Sequence, residues 1–367
     1  MTRLPAFPLA PRAGEASEAR PGISVVICTY NRADMLAAAL EDVLAQDHPD
    51  TPEFEVIVVD NNSRDGTAVV VNHAAARDSR VRYLFEAQQG LSHARNAAIA
   101  AARAPIVAFT DDDVRVGRGW LAAIARAFRE HPVASVVGGK VLPVWPAPPP
   151  PWLTSAHWGP LALVDYGDQS IRVDADRQVC LVGANLAVAA RAFELVGTFA
   201  PAVQRVRDIV GSSEDHEFQQ RVFRAGGFGV YDPRIVIHAA VQDDRLERQY
   251  HRRWHLGHGH FHALMRPDYF ERSKAGRICD VPAHLFRAAL RDATGWAMAR
   301  LRGDDREAFS RELRLRFFYG FVCTRRRQFL SLPRDERRRQ WLDLARAIVR
   351  RRGAAPSAPA AAPGAQR

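Results

Sequence analysis

Three consecutive carboxylates, Asp111, Asp112 and Asp113, follow the apolar run Ile106–Phe109. Like charges this close repel, so a fold keeps them together mainly where a cation gathers them or water solvates them fully. A short apolar run of this kind reads as a strand buried on both faces. In open α/β sheets ligands sit outside the carboxyl ends of the strands, which is where the cluster falls. Oxygen-only ligands favour Mg2+ or Mn2+, and those ions usually arrive with phosphates. An acidic turn is the plainer reading, since Asp is common after strands. These three residues alone do not choose between the two.

Three more places stand at equivalent strand ends: Thr29-Tyr30-Asn31, Asp60-Asn61-Asn62, and His238. A carboxylate such as Asp60 accepts hydrogen bonds from a base N–H, and the Tyr30 ring can lie near that base. Each is also an ordinary strand-end cap. Further on, the stretch Gly211-Ser-Ser-Glu-Asp-His-Glu217 opens an amphipathic helix. Ser212 and Asp215 have the spacing of a capping box, and acids suit a helix N-terminus. The alternative makes Asp215 a general base that takes a proton from a hydroxyl. Neither GxxxxGK[ST] nor a GxGxxG after the first strand is present. A nucleotide held here would therefore need a metal to meet its phosphates.

The elements that must position these residues alternate. Strands are expected at 23–30, 54–59, 81–85 and around Ile106–Phe109. Helices are expected at 67–76, 91–103 and 119–130, and after Asn31 and Asp34, where Leu36, Leu40, Val43 and Leu44 keep helical spacing. Asn31 and Asp34 offer caps to the first helix and Ser92 to the third. Such alternation implies a mostly parallel sheet covered on both faces. A strand at 136–142 follows, then the Pro-rich stretch 143–152, a stiff connector that cannot be regular because Pro lacks the donor. Strand character returns at 181–188, with Gly183 and Asn185 inside it, and at 230–239. Short helices are expected at 190–196 and 214–225. From Arg245 the pattern is helical and Arg-rich to about residue 352. The expected organisation is a flexible leader (1–22), a core domain (23–244), a helical extension (245–352) and a disordered Ala/Pro tail (353–367).

The chain of 367 residues is 47% hydrophobic, enough for a substantial core, and carries a net charge of +10 that is almost entirely Arg. That excess thickens after residue 245 and points to nucleic acid, an anionic membrane surface or acidic substrates. Four cysteines, Cys28, Cys180, Cys279 and Cys323, lie far apart without a CxxC pair, as in a reduced cytosolic protein. No apolar run approaches the roughly 20 residues of a spanning helix. His255, His258 and His262 fall on one helical face. Gly257 and Gly259 weaken that helix and no acid or Cys sits among the histidines, so a polar face is a better reading of the His251–His262 cluster than a zinc site.

Taken in order, Ser-Val-Val-Ile-Cys-Thr-Tyr-Asn-Arg, Val-Ile-Val-Val-Asp-Asn-Asn-Ser-Arg-Asp-Gly-Thr, Gly-Leu-Ser-His-Ala-Arg-Asn, Phe-Thr-Asp-Asp-Asp and Ser-Glu-Asp-His-Glu-Phe resemble the family 2 glycosyltransferases over roughly residues 22–240. The resemblance implies a GT-A fold and an inverting hexosyltransferase that moves a sugar from a nucleotide-sugar donor to an acceptor hydroxyl. It implies that Thr29, Tyr30, Asn31 and Asp60 hold the nucleoside, with Asp60 facing a uracil-type edge. Asp111 and Asp113 would be the DxD pair, with Asp113 on a Mn2+ or Mg2+ ion at the diphosphate and Asp112 close to the ribose or a metal-bound water. Arg95 would support the donor and His238 would face the metal or diphosphate. Asp215 would be the base, with Glu214 beside it toward the acceptor, and Gly183 and Asn185 would line the acceptor side. Processive members carry Gln-x-x-Arg-Trp, whereas Gln249-Tyr-His-Arg-Arg-Trp254 has one residue more. A non-processive enzyme of cell-envelope, exopolysaccharide or glycolipid synthesis is therefore expected, cytoplasmic or resting on the inner face of the membrane, with a glycan or lipid-linked acceptor.

The main rival is a basic nucleic-acid or membrane-surface binding protein with a non-catalytic nucleotide-sugar-binding core. Nucleic acid is not expected as a partner, because the positive stretches lack interleaved aromatics and the carboxylates repel phosphate. A nucleotidyltransferase would show a basic Gly-rich loop after the first strand, and Cys-Thr-Tyr-Asn-Arg is not one. The Arg-rich helices either pack on the core through their stems or lie on anionic lipid, as Leu313-Arg-Leu-Arg-Phe-Phe-Tyr319 suggests.

Overall fold

The structure is a computed structural model that describes residues 21–203, 214–271 and 276–338. The leader before residue 21, the stretch Gly211–Ser213 with the expected Ser212 cap, and the chain beyond 338, tail included, lie outside the described residues. The chain divides into two compact units, Met1–Gly257 and His258–Arg367.

The first unit begins with β-α repeats: β1 (Ile23–Thr29), α1 (Ala33–Leu44), β2 (Phe54–Asp60), α2 (Thr67–Arg77), β3 (Val81–Phe85), α3 (Leu91–Ala101) and β4 (Ile106–Asp111). Then come β5 (Val114–Val116), α4 (Trp120–Glu130), β6 (Val136–Val144), β7 (Ile171–Val173), β8 (Leu186–Ala189), α5 (Ala190–Val196), α6 (Glu214–Arg224) and β9 (Gly229–Ala240). The sheet order is β3-β2-β1-β4-β8-β6-β9-β5, with β7 on β9. β3, β2, β1 and β4 are parallel. β8 runs antiparallel between β4 and β6, while β6 and β9 are again parallel.

Alternation along the strands builds two cores. Val25 and Ile27 of β1 and Val56 and Val58 of β2 face Leu36 and Leu40 of α1, Val71 of α2 and Trp120 of α4. Their neighbours Val26, Ile57 and Val59 face Ala94 and Ala98 of α3, Phe193 of α5 and Phe218 of α6. A strand buried on both faces must be apolar at every position, which is why its sequence reads as an unbroken run. The parallel register ends Thr29 opposite Asp60 and Cys28 opposite Asp111, so these residues share one edge of the sheet. The order reverses between β1 and β4, the switch point where such sheets bind ligands.

Several local expectations are corrected. Asn31 and Asp34 do not cap α1; the Asp65 carboxylate accepts the Ala33 N–H from across the loop at 3.0 Å. Asn31 instead sits in the left-handed region, φ 52°, and its side-chain oxygen accepts the Arg64 N–H at 2.8 Å. Ser92 lies inside α3, whose N-cap is Gly90 at φ 140°, a conformation that favours glycine. Gly183 to Asn185 form a tight 3-10 turn before β8 rather than the middle of a strand. The β6 strand carries on through Pro143 and Val144, beside β9, because a proline without a donor is tolerated where no further strand needs its N–H.

In the chain's remaining helices, α7 (Arg248–Met265) begins in the first unit and ends in the second, followed by α8 (Asp268–Glu271). A small hairpin, β10 (Arg277–Ile278) and β11 (Val281–Pro282), interrupts the expected helical run. Then α9 (Ala283–Leu301) and α10 (Asp305–Ser331) pack on each other, joined through Gly303 at φ 71°. Among the described residues no helix is long and apolar enough to cross a membrane.

Candidate active site

The carboxylates sit where β4 leaves the sheet, and each has a different environment. Asp112 is buried; its Oδ2 accepts Thr29 Oγ1–H at 2.7 Å and its Oδ1 accepts Arg32 Nη1–H at 2.9 Å. Arg32 Nη1 also reaches Asp113 Oδ2 at 3.1 Å, and Arg245 Nη2 lies 4.0 Å from that same oxygen. Asp112 thus ties the end of β4 to Thr29 of β1 and to Arg32. Asp111 accepts no hydrogen bond among the described residues. Burial, aided by the charges of Asp113 and Asp112 and opposed by Arg95 and Arg32, holds its carboxyl up at about 7. A carboxyl in that position is one that an added cation would relieve.

Arg95, on α3, joins this edge to the opposite wall. Its guanidinium is buried, lies 5.7 Å from the Phe109 ring centre and 5.2 Å from that of Phe199, and pairs with Glu214 Oε1 at 3.2 Å. Glu214 and Asp215 open α6, where the N-terminal dipole favours acids. Asp215 Oδ2 accepts the Gly183 N–H at 2.8 Å and its Oδ1 accepts the His216 N–H. A Cβ on Gly183 would fall 2.6 Å from Arg95 Nη2, so only glycine lets the turn pass beneath the guanidinium. The three segments of the motif set, around Arg95, Gly183 and Asp215, thus meet.

Asn185 has no side-chain atom left for an acceptor: Nδ2 donates to the Lys140 and Ile235 carbonyls and Oδ1 accepts the Trp120 indole N–H. It braces the turn that presents Gly183. At the other side of the switch point, Asp60 is buried, accepting the Ser63 N–H on Oδ1 and the Tyr83 hydroxyl on Oδ2, both at 2.8 Å. Burial first, then the bond to Asp60 and its charge, push the Tyr83 phenol up to about 12. A carboxylate offers about four lone-pair sites, so two stay available to a ligand. Tyr30 is 46% exposed at the mouth.

His238 stands on β9, beside the β5 strand that follows the carboxylates. It is exposed on β9 opposite Arg115, whose guanidinium is held by Asp42, while only the backbone of Ala240 bonds to the Asp113 carbonyl. Among the described residues no three His, Cys, Asp or Glu side chains are gathered as a metal site. Asp111 and Asp113 still fit a divalent ion chemically, because Mg2+ and Mn2+ sites often use one or two carboxylates and take the rest from phosphates and water. Arg32 and Arg245 are the residues that sequence reasoning missed. Arg32 stood inside the quoted Thr-Tyr-Asn-Arg stretch, whereas nothing in the sequence sets Arg245 apart from the other arginines near it.

Three histidines of α7 bond to backbone carbonyls in or just before the helix. His251 Nε2 donates to the Arg245 carbonyl, His255 Nδ1 to that of His251 and His262 Nδ1 to that of His258. Burial depresses His251 and His255 to about 4. A depressed His stabilises the fold above its unfolded value near 6.5, and that contribution is lost as pH falls toward 4. Melting curves should therefore show Tm falling across pH 6.5 to 4, with a shallower fall when His251→Gln and His255→Gln are combined. Parallel curves for the two proteins would refute this account.

The sequence model of the family described as Glycosyl transferase family 2 matches residues 24–163. Among curated proteins, a validoxylamine A glucosyltransferase of Streptomyces hygroscopicus subsp. jinggangensis is 36% identical over 137 residues, 37% of this chain and 32% of that one. A glucosyl-dolichyl phosphate glucuronosyltransferase of Haloferax volcanii is 32% identical over 130 residues, 35% and 41% of the two chains. The chain thus spans well under half the length of either relative. A mannosyltransferase from Pyrobaculum calidifontis, solved with GDP-Man and Mn2+, superposes with a TM-score of 0.55 at 20% identity over 84% of this chain and 88% of that one. That likeness identifies the mostly parallel sheet and its helices as a GT-A fold. Residues 24–163 are thus similar to the family 2 glycosyltransferases, and the fold as a whole is that of a GT-A enzyme.

Proposed function

We propose that the protein is an inverting, non-processive glycosyltransferase that moves a hexosyl group from a nucleoside-diphosphate sugar, UDP favoured, to an acceptor hydroxyl by single displacement. The observation that carries this reading is the Arg95 bridge. Its guanidinium pairs with Glu214 at the start of α6 and attracts Asp111 on the β4 edge and Asp215, which supports reading the two walls as the two halves of one site. Tyr30 and Asp60 would hold the base. Asp111 and Asp113 would hold Mn2+ or Mg2+, whose chemistry is to neutralise charge on the leaving diphosphate. Asp215, anchored by Gly183, would receive the proton of the attacking hydroxyl, and Glu214 would orient the pair through Arg95. Direct attack opposite the leaving group needs no covalent intermediate.

For the acceptor we propose a glycan or a lipid-linked sugar of envelope, exopolysaccharide or glycolipid synthesis, used at the inner face of the cell membrane. The dolichyl phosphate in the name of one relative supports it. Calorimetry with UDP, GDP, dTDP and ADP, with and without Mn2+, tests the donor half. One nucleotide should bind in a metal-dependent way and lose that binding in Asp113→Asn. Binding of none in either condition would overturn the reading.

A further inference from the structure

In the second unit the apolar residues of Leu313-Arg-Leu-Arg-Phe-Phe-Tyr319 turn inward. Leu313 is buried, and Phe317 and Phe318 pack around Phe321, Val281 and Ala263. Only Arg314, Arg316 and Tyr319 of that segment are exposed. The unpartnered apolar surface lies on α9 instead.

One side of α9 packs on α10: Asp292 and Ala299 are buried, and a Cβ on Gly295 would meet the Arg311 guanidinium. On the opposite side, Leu290, Thr294, Ala297 and Leu301 follow one another at helical spacing and are all exposed, Leu290 at 67% and Leu301 at 82%. Met298 stands exposed beside this stripe. Arg287 and Arg291 flank it on one side and Arg300 on the other. Asp292 is the only acid in the helix, and it is turned away and neutralised by Arg311 and Arg314. Arg287 and Arg291 make no ion pair among the described residues.

A large exposed leucine stripe is costly in water and is unusual on a surface that meets only solvent. Arg287 and Arg291 suit a surface of fixed negative charge, while Arg300 on the other side lies 3.7 Å from Asp305. Leucines flanked by arginines are the composition of helices that lie in a lipid headgroup layer. We propose that the outward face of α9 is a docking surface for an anionic lipid bilayer, with Leu290 and Leu301 entering the acyl boundary and Arg287 and Arg291 on the headgroup phosphates. This deepens the reading of a membrane-borne acceptor but does not need the sugar chemistry to be right.

Sedimentation of the full chain with vesicles of phosphatidylcholine, alone or mixed with phosphatidylglycerol, tests it. The protein should sediment with the mixed vesicles at low salt and be released as salt rises. Replacing both Leu290→Glu and Leu301→Glu should weaken binding about tenfold or more, with Tm and nucleotide binding unchanged. Arg287→Gln with Arg291→Gln should weaken binding and flatten its salt dependence. Retained binding in the leucine variant, equal binding to both vesicle types, or none to either would overturn the proposal. So would light scattering that shows a dimer dissolved by the leucine changes, since the stripe would then be a protein interface. If the vesicles bind while no nucleotide does, the transferase reading fails and this one stands.

Discussion

Asp215→Asn should lower kcat by about a hundredfold to ten-thousandfold, the usual contribution of a positioned general base, while leaving donor affinity almost unchanged. The substitution is nearly isosteric, and the amide oxygen can still accept the Gly183 N–H that now reaches Asp215 Oδ2 at 2.8 Å. The turn should therefore stay in place, while the amide nitrogen faces the His216 N–H that Asp215 Oδ1 now accepts, so one hydrogen bond at the start of α6 is lost together with the ability to take a proton. Glu214 is a poor substitute, because it is 4% exposed and its Oε1 is committed to Arg95. A kinetic assay with a fixed donor and saturating acceptor separates the outcomes. A fall in kcat with donor KM unchanged fits a proton acceptor. A rise in KM alone would make Asp215 a binding residue, and full activity would move the base elsewhere.

The parts of this site that were legible in the sequence are those fixed by strands. Once β1, β2 and β4 are recognised as buried runs, parallel register sets Thr29, Asp60 and Asp111 on one edge with nothing further to know. Roles that depend on long-range partners were not legible. Asp112 read as a residue near the ribose or a metal-bound water, and nothing local announced the bonds that Thr29 and Arg32, about eighty residues earlier, make to its two oxygens. Asn185 looked like a ligand residue because Gly-Ala-Asn sits in a motif. Its amide is instead consumed by Trp120 and two carbonyls from distant strands. Local signals also misled where a cap came from another segment, as with Asp65 serving α1. On α10, Arg and Phe alternate so closely that sequence period alone could not say which set faces solvent. Packing decided it, turning Phe317 and Phe318 toward Phe321.

Arg95→Met should be the most destabilising single change at the site, costing about 3–5 kcal/mol, the usual penalty for removing one partner of a buried ion pair. For a domain of this size that corresponds to a fall in Tm of about 10 °C. Arg95 is 3% exposed, and its charge faces Glu214 first, then Asp111 and Asp215. Without it, buried carboxylates from two walls confront one another across an apolar pocket built from Phe109 and Phe199. Arg95→Lys restores the charge but neither the planar stack on the two rings nor the guanidinium fork, so it should recover only part of the loss. The double change Arg95→Met with Glu214→Met removes both charges and should regain stability while leaving activity low. Differential scanning calorimetry on the three proteins reads this directly. A loss below about 1 kcal/mol in the single variant would mean that water reaches the pair freely. A double variant no more stable than the single would show that packing on Phe109 and Phe199, and not charge, is what the guanidinium provides. If both expectations hold, the residue that joins α3 to α6 stabilises the fold and couples the donor edge to the base through one buried charge.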